Sequence, residues 1–193
     1  GKVYDAHYYS VDKEGWLDYN AIREQAKKLK PKMIVAGASA YSRQIHWYLF
    51  REIADEVGAY LLCDMAHYSG LIAGGHYDNP VPHADVVTST THKTLRGPRG
   101  GIMLWENDDY TKKLNSAIFP GTQGGPLMNM IASKAQAFKE ANTTDFRQYI
   151  KQVIDNAKAM TEMFIENGFN VLTGGTDSHM MLVDLSDKKY SGR

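Results

Sequence analysis

Met33-Ile34-Val35-Ala36-Gly37-Ala38-Ser39 is a short, continuous apolar run closed by small residues. Such a run has the pattern of a strand buried on both faces of a parallel sheet, not that of a half-exposed surface strand. Upstream of it, Asp18 is placed to cap a helix that carries Ile22, Ala26 and Leu29 on one face and ends at Pro31. Downstream, Ser42 to Val57 carries Ile45, Leu49, Ile53 and Val57 close to helical spacing, with Gly58 as its stop. A second apolar run, Ala59 to Cys63, leads into Asp64. A third, Asp85 to Ser89, follows a connection rich in Gly and Pro and leads into Thr90-Thr91-His92-Lys93. The order strand, helix, strand, loop, strand predicts an α/β fold with a mostly parallel, covered sheet, whose ligands sit beyond the carboxyl ends of the strands. Those ends carry Ser39, Asp64 and His92-Lys93.

The rest of the chain adds a further strand over Gly100 to Trp105 and helices around Leu114 and from about Leu127 to Ala141. A long amphipathic helix follows, with Phe146, Ile150, Val153, Ala157, Met160 and Phe164 at intervals of three or four and Gly168 closing it. Phe169 to Leu172 and Met180 to Leu185 are predicted as two strands whose partners lie elsewhere. The 193 residues are 43% hydrophobic and 23% charged, which excludes disordered, collagen-like and disulfide-scaffold classes. Twenty-two basic residues balance 22 acidic ones, so no general field grips nucleic acid or an acidic membrane, and a small specific ligand is the expected partner. No apolar run approaches the about 18 residues of a membrane-spanning helix. The single cysteine, Cys63, sits inside an apolar run and reads as a reduced core residue of a cytosolic-type protein.

The chemistry concentrates in Thr88-Ser89-Thr90-Thr91-His92-Lys93-Thr94-Leu95-Arg96-Gly97-Pro98-Arg99-Gly100-Gly101. A lysine at the mouth of a buried strand, beside hydroxyls and a histidine and just before a glycine-rich turn, can present its amine to a carbonyl-bearing cofactor while backbone N–H groups meet a phosphate. The plain alternative is a solvated lysine in a basic loop. Asp64 follows an apolar strand directly, where a carboxylate needs compensation. In a pyridoxal phosphate enzyme such an Asp partners the protonated ring nitrogen, although Asp64 is equally placed to cap Met65-Ala66-His67. Asp64 and His67 suit a metal pair by type, but no third and fourth ligand follows from the sequence, so no metal is expected. Ser39 is suited to hydrogen-bond a ligand oxygen, and its surroundings lack the G-x-S-x-G of a nucleophile elbow. Phe119-Pro120-Gly121-Thr122-Gln123-Gly124-Gly125-Pro126 opens a helix, a position that offers N–H groups to an anion or serves simply as a turn.

Taken together, Val87 to Gly101, Asp64-Met65-Ala66-His67, Ser39-Ala40-Tyr41-Ser42, Leu114-Asn115-Ser116-Ala117, Pro120 to Pro126 and Gly174-Gly175-Thr176-Asp177-Ser178-His179 resemble serine hydroxymethyltransferases over essentially the whole chain. The resemblance implies a fold-type I pyridoxal 5'-phosphate enzyme that interconverts serine and glycine while passing a one-carbon unit to or from tetrahydrofolate. It implies that Lys93 carries the cofactor as an imine, that Asp64 pairs with the ring nitrogen, and that His67 and Ser39 contact the ring's phenolic oxygen. His92 touches the phosphate, Thr90 lines the pocket near the lysine, and Arg99 steadies the segment. Gly124 and Gly125 reach the phosphate of a neighbouring subunit's cofactor, so the active site belongs to a homodimer or higher homo-oligomer in the cytoplasm. The implied domains are a partial cofactor-binding large domain over 1–142 and, over 143–193, a linking helix and the beginning of a small α+β C-terminal domain.

Members of the resembled family extend past both ends of this chain, which begins at Gly1 as though cut from something longer. It is therefore expected to be a central fragment, inactive alone, because groups that stack on the ring, move protons and grip the substrate carboxylate fall outside it. Two alternatives stand beside this expectation: a pyridoxal phosphate aldolase or aminotransferase on the same scaffold, and a piece with no turnover.

Overall fold

A computed structural model describes residues 3–189. Helix α1 (Tyr19–Leu29) starts where expected, because the Asp18 carboxylate accepts the N–H groups of Asn20 and Ala21, each at 3.0 Å. Strand β1 (Met33–Gly37), helix α2 (Trp47–Val57), strand β2 (Tyr60–Asp64), helix α3 (Ser69–Ala73), strand β3 (Val86–Thr90) and strand β4 (Gly101–Leu104) complete the sheet region. The sheet order is β1-β2-β3-β4, parallel through β3, with β4 antiparallel at the edge. Register sets Gly37 beside Asp64 and Asp64 beside Thr88, so β1 and β2 end level and β3 runs two residues further, to Thr90. Gly37 is required there: its φ is 145°, and a Cβ would stand 2.4 Å from the Asp64 carbonyl oxygen.

The core forms where α2 lays Trp47, Phe50, Ile53 and Ala54 among Ile34, Ala36, Leu61, Cys63 and Val87. The expectation of a sheet covered on both faces does not hold among the described residues. Met33, Val35 and Tyr60 are 51%, 54% and 55% exposed, while Ile34, Ala36 and Leu61 on the opposite face are buried. The physical reason is that α2 packs on one side, and strand residues alternate between sides. Helix α2 also begins at Trp47, later than Ser42. The N–H groups of Gln44, Ile45 and His46 go instead to the Asp177 carboxylate, the Tyr77 hydroxyl and the Tyr19 hydroxyl, at 3.2, 2.9 and 2.9 Å.

Helices α4 (Thr111–Ile118), α5 (Met128–Ala141) and α6 (Thr144–Glu166) follow. The Thr143 hydroxyl caps α6 by accepting the Phe146 N–H at 3.2 Å. The face it buries is Phe146, Ile150, Ile154, Ala157 and Thr161, one step from the expected Val153 and Met160, and Met160 is exposed. Strands β5 (Asn170–Val171) and β6 (Val183–Asp184) pair with each other, antiparallel, so each supplies the other's hydrogen bonds without a partner from elsewhere.

Candidate active site

At the end of β2 the half-buried Asp64 carboxylate is held twice: Oδ1 accepts the Ala66 N–H at 2.9 Å, and Oδ2 accepts the Thr88 hydroxyl at 2.8 Å. The first is a capping bond, one of the two readings its position offered, and the second comes from the neighbouring strand. Among the described residues no ion pair involves Asp64. Two of a carboxylate's roughly four acceptor positions are thereby used.

The turn after β3 presents Lys93, half-buried. Its shape is enforced by Thr91, whose buried hydroxyl donates to the Pro98 carbonyl at 2.5 Å while its carbonyl accepts the Gly97 N–H at 2.6 Å. The Arg96 N–H donates to the Lys93 carbonyl at 3.0 Å, with Arg96 itself at φ 62°. Thr94 ties this turn to the stretch after Asp64: its hydroxyl donates to the His67 carbonyl at 2.8 Å and accepts the Gly70 N–H at 2.9 Å. Gly70 permits the approach, since a Cβ there would stand 2.1 Å from the Thr94 carbonyl oxygen.

His67 is within electrostatic reach of both charges. Burial and the Lys93 ammonium hold its imidazole below the ordinary histidine range, and Asp64 opposes them. The result is a neutral ring beside an amine and a carboxylate. The Thr90 hydroxyl is buried and has no hydrogen-bond partner among the described residues. The Arg99 guanidinium reaches His92 Nε2 at 3.3 Å, and the Gly100 N–H meets His92 Nδ1 at 3.4 Å, so His92 and Arg99 form one unit at the glycine turn. Ser39 is exposed, just past the carboxyl end of β1. Gly124 and Gly125 stand apart, exposed between α4 and α5, where a Cβ on either would meet nothing within 4 Å.

Cys63 is buried and its thiol is pushed up to about 12 by burial, which makes it a core residue without reactivity. Three contributors escaped the sequence reading. Thr88 and Thr94 orient Asp64 and the Lys93 turn; Thr88 is placed by the parallel register and Thr94 by its contacts with His67 and Gly70, neither by a motif. His179 reaches the site from beyond α6, its ring stacked on His67 with centroids 6.0 Å apart and planes 13° apart. An amine, a carboxylate, a neutral imidazole and an unpartnered hydroxyl at one sheet edge suit a carbonyl-bearing heteroaromatic cofactor with a basic ring nitrogen.

Comparison with known proteins places the chain in a family. The sequence profile described as "Serine hydroxymethyltransferase" matches residues 1–193. A serine hydroxymethyltransferase of Dichelobacter nodosus (strain VCS1703A) is 58% identical over 194 residues, covering 100% of this chain. The chain spans 46% of that relative's length.

Proposed function

This chain belongs to the serine hydroxymethyltransferase family, and from that premise we propose that it forms the central part of a protein that interconverts serine and glycine, passing a one-carbon unit to or from tetrahydrofolate with pyridoxal phosphate as cofactor. The observation that carries the proposal is the meeting of Asp64, His67, Thr90 and Lys93 at the carboxyl edge of the parallel strands. These residues fit the cofactor: the Lys93 amine suits its carbonyl carbon, the Asp64 carboxylate its ring nitrogen, and the unpartnered Thr90 hydroxyl a polar group beside the lysine. When bound, pyridoxal phosphate supplies an electron sink for the substrate α-carbon.

The chain's own residues then divide the work. Lys93 would hold the cofactor through its amine at the carbonyl carbon, the position a substrate amine would take over. Asp64, its oxygens oriented by Thr88 and Ala66, holds a proton at the ring nitrogen. His67 and Ser39 bind the phenolic oxygen. His67 suits that place because a neutral imidazole both donates and accepts. His92, steadied by Arg99, binds the phosphate. Gly124 and Gly125, in their exposed loop, reach the cofactor phosphate of a second subunit, so the working unit is a homodimer or larger homo-oligomer in the cytoplasm. The large domain ends near Thr143, where α6 begins and leads towards a small C-terminal domain.

The experiment is borohydride reduction of the cofactor-loaded full-length gene product, followed by peptide mapping. The pyridoxyl adduct is expected on Lys93, and an adduct on Lys112 or Lys113 would overturn the assignment. Retro-aldol cleavage of a β-hydroxy amino acid with and without folate, beside a transamination assay, separates hydroxymethyl transfer from aldolase and aminotransferase chemistry.

A further inference from the structure

We propose that His179 is a positioning residue of this pocket: it stacks on His67 and fixes the plane in which that imidazole faces the cofactor. The inference rests on the reading of His67 as a cofactor contact.

The first support is geometric. His179 fits a corner made by two rings, lying parallel to His67 and meeting Tyr68 edge-on with centroids 6.1 Å apart and planes at 73°. Tyr68 is itself immobilised, fully buried, stacked on Tyr77 at 4.6 Å and donating its hydroxyl to the Tyr41 carbonyl at 2.8 Å. A side chain pressed into this corner holds its neighbour by the face of its ring.

The second support is that the backbone carrying His179 is anchored. Arg43 donates from Nε to the Thr173 hydroxyl at 3.0 Å, from Nη2 to the Thr173 carbonyl at 2.7 Å and from Nη1 to Asp177 Oδ1 at 3.0 Å. The Ser42 carbonyl accepts the Asp177 N–H at 2.9 Å and the Thr176 hydroxyl at 3.1 Å, and the Thr176 hydroxyl also accepts the Ser178 N–H at 3.1 Å. The buried segment just before His179 is thus bonded to the loop that follows Ser39. His67 is equally tethered through Thr94.

The third support concerns what the stack does not use. His179 Nδ1 is buried and has no hydrogen-bond partner among the described residues, so its ring is held by packing and not by a directed bond. The charged and titratable groups facing His67 are Lys93, Asp64 and His179, and those facing His179 are His67 and the Tyr68 phenol. Burial, reinforced by His67, lowers the His179 imidazole to about 4, so both stacked rings are neutral at physiological pH. Another flat ring at position 179 should therefore do the same work, whereas a polar chain without a ring should not.

The test compares His179→Phe, His179→Gln and His179→Ala in the full-length gene product. The His67 titration is followed by histidine-selective NMR without cofactor, and pyridoxal phosphate affinity by equilibrium binding. Gln and Ala are expected to raise the His67 midpoint by about half a pH unit or more and to weaken cofactor binding roughly three- to tenfold, while Phe leaves both near the parent values. Gln carries the comparison if Ala fails to fold. An unchanged His67 midpoint in a folded Gln or Ala variant, or a Phe variant that behaves like Gln, would overturn the proposal. Absence of the Lys93 adduct in the parent protein would instead overturn the active-site reading and leave the His67 titration interpretable on its own.

Discussion

The Thr88 hydroxyl donates to Asp64 Oδ2 at 2.8 Å across the register that sets β3 beside β2. A carboxylate at a strand end would otherwise swing with its χ angles. Held from one side by Thr88 and from the other by the Ala66 N–H, it presents a fixed face beyond the sheet. The sheet's own pairing thus aims the charge on which the proposed chemistry depends.

Replacing Asp64 by Asn keeps the shape and an acceptor for the Ala66 N–H but removes the charge. Secondary structure by circular dichroism should be unchanged, while turnover of the full-length protein should fall about 100-fold or more, the scale of losing a proton-positioning group. Near-parental turnover would reduce Asp64 to a cap.

Gly70→Ala places a Cβ against the Thr94 carbonyl oxygen, where the site shows only 2.1 Å of space and both neighbours are backbone. The Lys93 turn and α3 must separate, at a cost of about 1–3 kcal/mol in urea unfolding, with weaker cofactor retention. An unshifted urea midpoint would show that this junction yields freely.

Asp85 anchors the other end of the sheet. Its Oδ2 accepts the Leu61 N–H at 2.7 Å and Arg51 Nη1 at 3.0 Å, and its Oδ1 accepts the Tyr110 hydroxyl at 2.9 Å. Although desolvation opposes them, these bonds and Arg51 hold its carboxyl below the usual range. Asp85→Ala strands three donors, and with the Asp85 and Arg51 side chains 22% and 24% exposed the loss should be about 2–3 kcal/mol, below that of a fully buried pair. Urea titration of the variant checks it.

The pH dependence of stability follows from His179, and the lowered His67 acts in the same direction. A histidine near 4 when folded and near 6.5 when unfolded is neutral in both forms above about pH 6.5, so its contribution is complete there. Between pH 6.5 and 4 the unfolded chain takes up a proton that the folded chain refuses, and stability falls as pH falls. The urea midpoint should drop on going from pH 7 to 4.5 and drop less in His179→Phe. Equal slopes in the two proteins would mean that another group governs the acid limb.

Residues 1–193 expressed alone should self-associate and show no hydroxymethyl transfer. Met33, Val35 and Tyr60 present an apolar sheet face to water, and such faces pair or aggregate unless covered. Sedimentation velocity should show oligomers, with serine-dependent glycine formation at least about tenfold below a full-length control. A monodisperse monomer with comparable turnover would contradict both expectations.

Much of the fold was legible because its signals are local. Asp18 bonds residues two and three positions on, and the three apolar runs became β1, β2 and β3. The candidates Asp64, His67, Thr90 and Lys93 could be picked out because they stand at or just beyond the ends of those runs. Where long-range partners compete, local reading failed. The start of α2 yields to Tyr77, Tyr19 and Asp177, and α3 hides in a stretch that reads as loop. An apolar run such as Met33 to Ala36 also looks the same whether one face or both are covered. Thr88 and Thr94 are ordinary hydroxyls in a threonine-rich segment until register and packing single them out, and His179 enters through a contact no spacing announces.

The clasp of Arg43 on Thr173 and Asp177 joins residues 130 and 134 positions apart. On a ribosome adding about 5–20 residues per second, the loop after β1 emerges roughly 7 to 27 seconds before its partner is made. Until Thr173 and Asp177 are made Arg43 lacks these acceptors, and His179 cannot fill the corner beside Tyr68 even once β1 to β4 have been made. The wall that His179 adds therefore arrives after β1 to β4 have been made, so that side of the candidate site closes later in synthesis than the strand ends beneath it.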